Sequence, residues 1–522
     1  MDSQVEKIRS GKLHDSWHTV FVFLFLLIFS IVNRFPYYFP IVINWDESSY
    51  ILLGQNILDG HLPYTDLWDL KPPLAFLFFA GAIALLGKSI ISVRIAGTVC
   101  VAFTAFLTYL TGKTLWNHRT GLLSAVICVA MLGFPSSGQA VMSEHIALVP
   151  MVGALSILVM KEYSPRNLFL AGILMAIATF VRLNLAYVSV LVGFYIVICI
   201  FIMPPRSIRT ALIRGLAYVS GGCFVLLLVF LPYAITGYQK LWLSSVIIAP
   251  LNYARFQLSA MDALREHIGY ISQSFTLKKG PLLVVSSLMW LGGLAGLVFI
   301  HLQWRKKPLA IKLRLALLAT FLIGTFISII VGGAAFPHYH IQLFPFMALF
   351  AAAFAHICLS GYSPRLMTFV SVLIVGISIL SVIPQYNKIM SLYLAGQSLP
   401  YGPACEIAKY INQENTSGEP IFMMTDHIVY WLINQKPLSK STVHPSNISK
   451  EYILSALVGP GTTTEMELAK ILAKKPRFIV LTGDSWHYLG KPIACALLRE
   501  TLDTHYILDK QIQQRQIYRR KH

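Results

Sequence analysis

Long apolar runs constrain this chain more than any other feature. After a first run close to the N-terminus come ten more, at 89–111, 120–137, 146–160, 168–181, 185–203, 211–234, 281–303, 313–332, 341–360 and 365–384. A helix needs about 20 residues, at about 1.5 Å each, to cross a hydrocarbon layer about 30 Å thick. Composition agrees: 56% of residues are hydrophobic and 12% charged, against about 25% charged in an ordinary soluble domain. A soluble globule is therefore excluded, and a polytopic α-helical membrane protein with about eleven spans is expected. The net charge of +19 comes from Lys and Arg lying between the runs. No RNA-binding motif accompanies it, so no nucleic acid partner is expected.

Lys7, Arg9 and Lys12 precede the first run, and no small-residue cleavage site follows them, which marks a retained span. One further run, Pro72 to Gly87, has about 16 residues and reaches only about 24 Å as a helix. Charge decides its place. If it does not cross, 16 Lys and Arg fall inside and 8 outside; if it crosses, the counts become 10 and 14. The positive-inside rule selects the first arrangement, with Pro72 to Gly87 at the outer surface, the N-terminus cytoplasmic and the tail outside. Two domains are thus expected: a membrane domain, 1–384, and a periplasmic α/β domain, 385–522. Pro420 to Thr425 and Arg477 to Thr482 are the tail's strand candidates, and Glu465 to Lys474 has helical patterning. Cys405 and Cys495, the two cysteines of the tail, pair only if it faces an oxidising compartment.

The first outside loop is rich in carboxylates. Asn44-Trp45-Asp46-Glu47-Ser48-Ser49-Tyr50 leads to Gly60-His61-Leu62-Pro63-Tyr64, then to Asp66-Leu67-Trp68-Asp69-Leu70-Lys71-Pro72-Pro73-Leu74. Asp46 and Glu47 stand at the end of a span, where desolvation and the neighbouring charge raise a carboxyl pKa toward that of a useful base. An isolated Asp-Glu pair would instead read as the start of a solvated loop.

The order Asp-Glu, a Tyr three residues on, Gly-Xaa-Xaa-Pro-Tyr and Lys-Pro-Pro-Leu resembles the GT-C superfamily of membrane glycosyltransferases. The branch it is most similar to holds the protein O-mannosyltransferases and the bacterial enzyme that adds aminoarabinose to lipid A. The resemblance covers about residues 18 to 384. It implies inverting transfer of a sugar from a polyprenyl-phosphate donor to a hydroxyl on a lipid, glycan or protein, on the outer face of a bacterial inner membrane. Asp46 takes the place of the essential carboxylate, acting on the acceptor hydroxyl, with Glu47 beside it. Lys71 takes that of a donor-phosphate ligand, and Tyr50, Tyr64 and Asp69 those of substrate-binding residues. The aminoarabinose branch has a Glu before Lys-Pro-Pro where this chain has Leu70, so no metal ligand carries over there. The resemblance leaves room for a divalent cation, Mg2+ or Mn2+, without naming its ligands.

Elsewhere, Glu144 in a short outside loop resembles a second acidic position of the family; its alternative is a helix-end Glu that meets water. Arg182 is a further phosphate candidate, or else an Arg that snorkels to headgroups. Phe336-Pro337-His338-Tyr339-His340 resembles an aromatic-rich His-Tyr pattern of the family. His338 and His340 do not have a usual metal-ligand spacing and are expected on a phosphate, with Tyr339 on substrate. Arg34 and Arg94 are expected at headgroups. The loop at about 235–280, with Lys240, Arg255, Arg265, Lys278, Lys279, Trp242 and Tyr253, is a candidate lid over the donor. A transporter or lipid flippase also needs many spans, but usually shows internal repeats and midplane polar groups, which this sequence lacks.

Overall fold

A computed structural model describes residues 2–133, 136–202, 207–275, 280–359, 363, 365–483 and 490–521; Lys278 and Lys279 lie outside them. The chain is mostly helical. Eight helices are long and apolar enough to cross a membrane, among them Ile90–Leu115, Ser143–Met160, Leu309–Val331 and Arg365–Leu394. Every apolar run of the sequence is a helix, although those at His118–Leu132, Pro165–Val181 and Leu183–Cys199 are shorter than a span. Pro73–Leu86 is shorter still, 14 residues, about 21 Å of helix. Exposed side chains such as Phe194, Leu216, Leu291 and Val372 give the helices an apolar exterior of the kind only lipid covers.

Contacts divide the chain into two compact units, each drawn from three stretches. One comprises Met1–Tyr37, Ile95–Val225 and Leu258–Ile389; the other comprises Tyr38–Arg94, Leu226–Gln257 and Met390–His522.

Among its described residues the first unit has helices and no strand. Its helices approach closely where glycine removes a side chain: a Cβ on Gly172 would stand 2.0 Å from the carbonyl oxygen of Tyr218, and one on Gly221 would stand 2.2 Å from that of Phe169. The helices Pro165–Val181 and Ile208–Ile235 are thus packed backbone to backbone, as small residues allow in membranes. Arg34 corrects its expected place at headgroups. It is 1% exposed, and its guanidinium donates to Thr98 Oγ1 and to the carbonyls of Gly138 and Gln139. Those carbonyls end the one-turn helix Ser136–Gln139, and the last carbonyls of a helix need donors from outside it.

The second unit joins the first loop to the tail. Asn44 caps Trp45–Leu58 by accepting the backbone N–H of Asp46 at 2.9 Å, a strongly preferred cap residue. This helix packs on Pro73–Leu86 at Gly54, where a Cβ would meet Ala80 N and Phe79 Cβ at 2.8 Å. The tail carries a four-stranded sheet in the order β1-β2-β4-β3, with β1 Ile421–Met423, β2 Phe478–Thr482, β3 Tyr506–Ile512 and β4 Arg515–Arg520. β1 pairs parallel with β2, and the other two pairings are antiparallel. Phe422, Leu468, Ile471, Ile479 and Leu498 form its core, with the helix Thr464–Ala473 on the sheet. The two strand candidates and the helix expected from the sequence are all present. No disulfide forms among the described residues.

Candidate active site

The adjacent acids Asp46 and Glu47 point to different tasks. On a helix, neighbouring positions do not share a face. Glu47 is 1% exposed and is held by Arg94, with Nε 2.6 Å from Oε1 and one terminal nitrogen 2.5 Å from Oε2. This planar, two-point pair fixes Arg94 inside the protein and corrects its expected place at headgroups.

Asp46 keeps about a quarter of its side chain exposed. It lies in the first turn of Trp45–Leu58, where the helix dipole favours a carboxylate. Polar side chains surround it. Tyr50 Oη donates to Oδ2 at 3.2 Å, Lys71 Nζ is 3.9 Å from Oδ2, and His444 Nε2 is 3.3 Å from Oδ1. Asp69 is buried beside them and accepts the backbone N–H of Lys71 at 3.3 Å. Burial holds the Asp69 carboxyl above the usual carboxylate range; Lys71 and His444 oppose this shift, and Asp46 adds to it. Lys450 completes the cluster: burial, then repulsion from Lys71, pushes its ammonium below the usual lysine value, while Asp46 and Asp69 oppose the shift.

Tyr64 shapes the loop. Its φ of 73° is unusual for a bulky residue, its ring is fully buried, and its hydroxyl donates to the Lys71 carbonyl at 2.7 Å. Trp68 Nε1 donates to Ser245 Oγ at 3.0 Å, and the Trp68 backbone N–H donates to the Lys440 carbonyl at 3.2 Å. The segment bearing Asp69 and Lys71 is therefore held from both sides.

The other unit holds a second cluster. Glu144, at the start of Ser143–Met160, is fully buried and does not meet water. Arg182, at the end of Pro165–Val181, is 2.9 Å from it and also donates to Ser143 Oγ at 3.0 Å. His338 Nε2 lies 3.7 Å from the same Glu144 oxygen, and the Arg182 guanidinium stands 4.3 Å above the Tyr339 ring. Arg182 is thus buried in an ion pair and does not snorkel. His340 turns elsewhere, with Nε2 3.2 Å from His267 Nδ1 and its ring edge-on to Trp290. The expected lid segment is helical, at Gln239–Leu243, Ser244–Ile248, Ala249–Arg255 and Ala260–Gln273. Trp242 packs on Phe230, and Tyr253 lies under Lys450.

Of the residues singled out in the sequence, the structure brings Asp46, Tyr50, Asp69 and Lys71 together in one unit, and Glu144, Arg182, His338 and Tyr339 in the other. The sequence reading did not separate the two groups. It missed His444, Lys450 and the Arg94 partner of Glu47. Thr442-Val443-His444-Pro445 and Ser449-Lys450-Glu451 have no local pattern that points to a site. Among the described residues no three His, Cys, Asp or Glu side chains come together to hold a metal ion.

Fold and sites define a multi-pass membrane protein that resembles the GT-C glycosyltransferases, in the branch of ArnT and the protein mannosyltransferases. Residues 70–235 match the family described as dolichyl-phosphate-mannose-protein mannosyltransferase. ArnT from Cupriavidus metallidurans bound to undecaprenyl phosphate has the same fold: TM-score 0.60 at 13% identity, over 96% of this chain and 97% of that one. Its apo form gives 0.59 at 13%, over 97% and 98%. The oligosaccharyltransferase AglB from Archaeoglobus fulgidus, in complex with an inhibitory peptide and a dolichol-phosphate, gives 0.51 at 10% identity, over 94% of this chain and 73% of that one. No curated protein is similar to the chain in sequence.

Proposed function

We propose that this chain is an inverting glycosyltransferase that moves a sugar from a polyprenyl-phosphate donor to a hydroxyl of a lipid, glycan or protein at the outer face of a bacterial inner membrane. The observation that carries the reading is the pairing of a partly exposed carboxylate, Asp46, with Lys71 at 3.9 Å, in a fold shared with a protein solved with undecaprenyl phosphate. In the proposed step the Asp46 carboxylate takes the acceptor's hydroxyl proton as that oxygen attacks the anomeric carbon. The bond from that carbon to the phosphate oxygen breaks, and its electron pair leaves with the polyprenyl phosphate. The donor phosphate gains one negative charge, which a fixed cation stabilises more in the transition state than in the ground state. Lys71 is the cation nearest Asp46, and Tyr50, by donating to Oδ2, holds the carboxylate still. On this reading the N-terminus is cytoplasmic and the tail, 385–522, periplasmic.

The test is transfer of radiolabelled sugar from a panel of polyprenyl-phosphate donors to total membranes, with the wild-type chain and Asp46→Asn. Label should enter one lipid, glycan or protein fraction with the wild type, and loss of the base should reduce it by about 10²- to 10⁴-fold. Equal labelling by both proteins would remove Asp46 from the reaction; no labelling by a folded wild type from any donor would overturn the transferase reading.

A further inference from the structure

The carboxylate assigned to the reaction is held from one side by a residue of the tail. His444 Nε2 lies 3.3 Å from Asp46 Oδ1, and both side chains are partly exposed, 19% and 24%. On the other side of its ring, Nδ1 accepts the backbone N–H of Ser446 at 3.2 Å and stands 2.6 Å from Ser446 Oγ. A backbone N–H only donates, so Nδ1 is the unprotonated nitrogen. The tautomer assigned from this network carries its hydrogen on Nε2, the nitrogen 3.3 Å from the Asp46 carboxylate. The ring's orientation is fixed further by contacts around it. The Trp45 ring meets it edge-on at 6.5 Å, and the His427 ring lies at 6.2 Å. His427 is itself fastened to the helix of Asp46, with Nε2 3.1 Å from Ser49 Oγ.

We infer that His444 is a positioning residue for the transfer, and that the C-terminal domain thereby supplies part of the catalytic centre. It acts through Asp46. Tyr50 and Lys71 anchor Oδ2, and a donor on Oδ1 is what stops the carboxylate rotating about its Cβ–Cγ bond. A base that rotates presents the wrong lone pair to the acceptor hydroxyl, and small misplacements are costly in rate. The tail thus provides one support of the carboxylate that the membrane loop carries.

The inference rests on the transferase reading, and the experiment separates the two. His444→Ala and His444→Gln are compared with the full-length wild type, in matched amounts of folded protein, on the polyprenyl-phosphate sugar that the wild type turns over. Gln keeps an N–H donor at the reach of Nε2. His444→Ala should lower kcat by about 10- to 100-fold with KM for the donor changed by less than about 2-fold, and His444→Gln should restore most of kcat. The contact itself is read without turnover, by the rate at which diethyl pyrocarbonate acylates His444, followed by peptide mass spectrometry. Asp46→Ala should speed that acylation several-fold. An unchanged kcat in His444→Ala, no recovery in His444→Gln, or an acylation rate insensitive to Asp46→Ala overturns the positioning role. A wild type inactive with every donor overturns the transferase reading, and the positioning role with it, while the acylation rate still reports the contact.

Discussion

The two polar clusters, one in each compact unit, handle an acid in opposite ways. Around Glu144 the charges are dry and matched at short range: the carboxylate is fully buried and Arg182 is 2.9 Å away. Glu47 with Arg94 follows the same pattern within the other unit. Around Asp46 the partners stand farther off, at 3.2 to 3.9 Å, and solvent reaches the side chain. Two lysines, a second acid and a histidine share that space. A buried acid paired at short range with a guanidinium holds helices together, whereas an acid loosely held by several weaker donors remains open to a proton and a substrate. Ionisable groups of both kinds occur in the same sequence, and only their partners separate them.

The largest effect that sharpens this contrast is on stability. Removing one partner of a buried ion pair leaves the other uncompensated, at a cost of about 3 to 5 kcal/mol. Glu144→Gln should therefore lower the detergent-solubilised melting temperature strongly, and Glu144→Gln with Arg182→Met should recover much of the loss. If the single variant melts like the wild type, the Glu144 cluster is not the locked one. A smaller effect is expected at the helix contact that sets Asp46 in place. Gly54→Ala puts a methyl group 2.8 Å from Ala80 N, and overpacking of this kind costs about 1 to 3 kcal/mol. Unchanged melting and turnover would mean that the two helices separate easily.

The smallest effect is a slope. Burial, and then the neighbouring His444, pushes the His427 ring down to about 3, so it stays neutral in the folded chain where the unfolded chain takes a proton near 6.5. Between those values the unfolded state binds one proton more, so stability falls as pH falls, by about 1.4 kcal/mol per unit for this group. His427→Gln should flatten the fall in melting temperature between pH 6.5 and pH 5, and an unaltered slope would show that the ring titrates normally.

Much of this organisation is legible in the sequence. Apolar length marks every membrane helix, because burial in lipid leaves no other solution for the backbone. The parallel strands β1 and β2 are visible as short apolar runs, being covered on both faces. The β3–β4 hairpin is not, since its turn passes through Gln513 at φ 52° with no Asn-Gly or Asp-Gly to mark it. Asp46, Tyr50 and Lys71 are legible because one loop carries them. His444 and Arg94 are not, because the first comes from the tail and the second from another helix, and no local pattern encodes a contact at such separation. The same limit hid the difference between Asp46 and Glu47, which depends on which way a helix faces.

That difference is the most direct test. Asp46→Asn and Glu47→Gln, purified side by side, would be measured for both melting temperature and sugar transfer per folded molecule. The account predicts that Asp46→Asn melts near the wild type and transfers almost nothing, while Glu47→Gln melts far lower and its folded fraction still turns over. Transfer by Asp46→Asn at the wild-type rate, or a well-folded Glu47→Gln that is inactive, would contradict it.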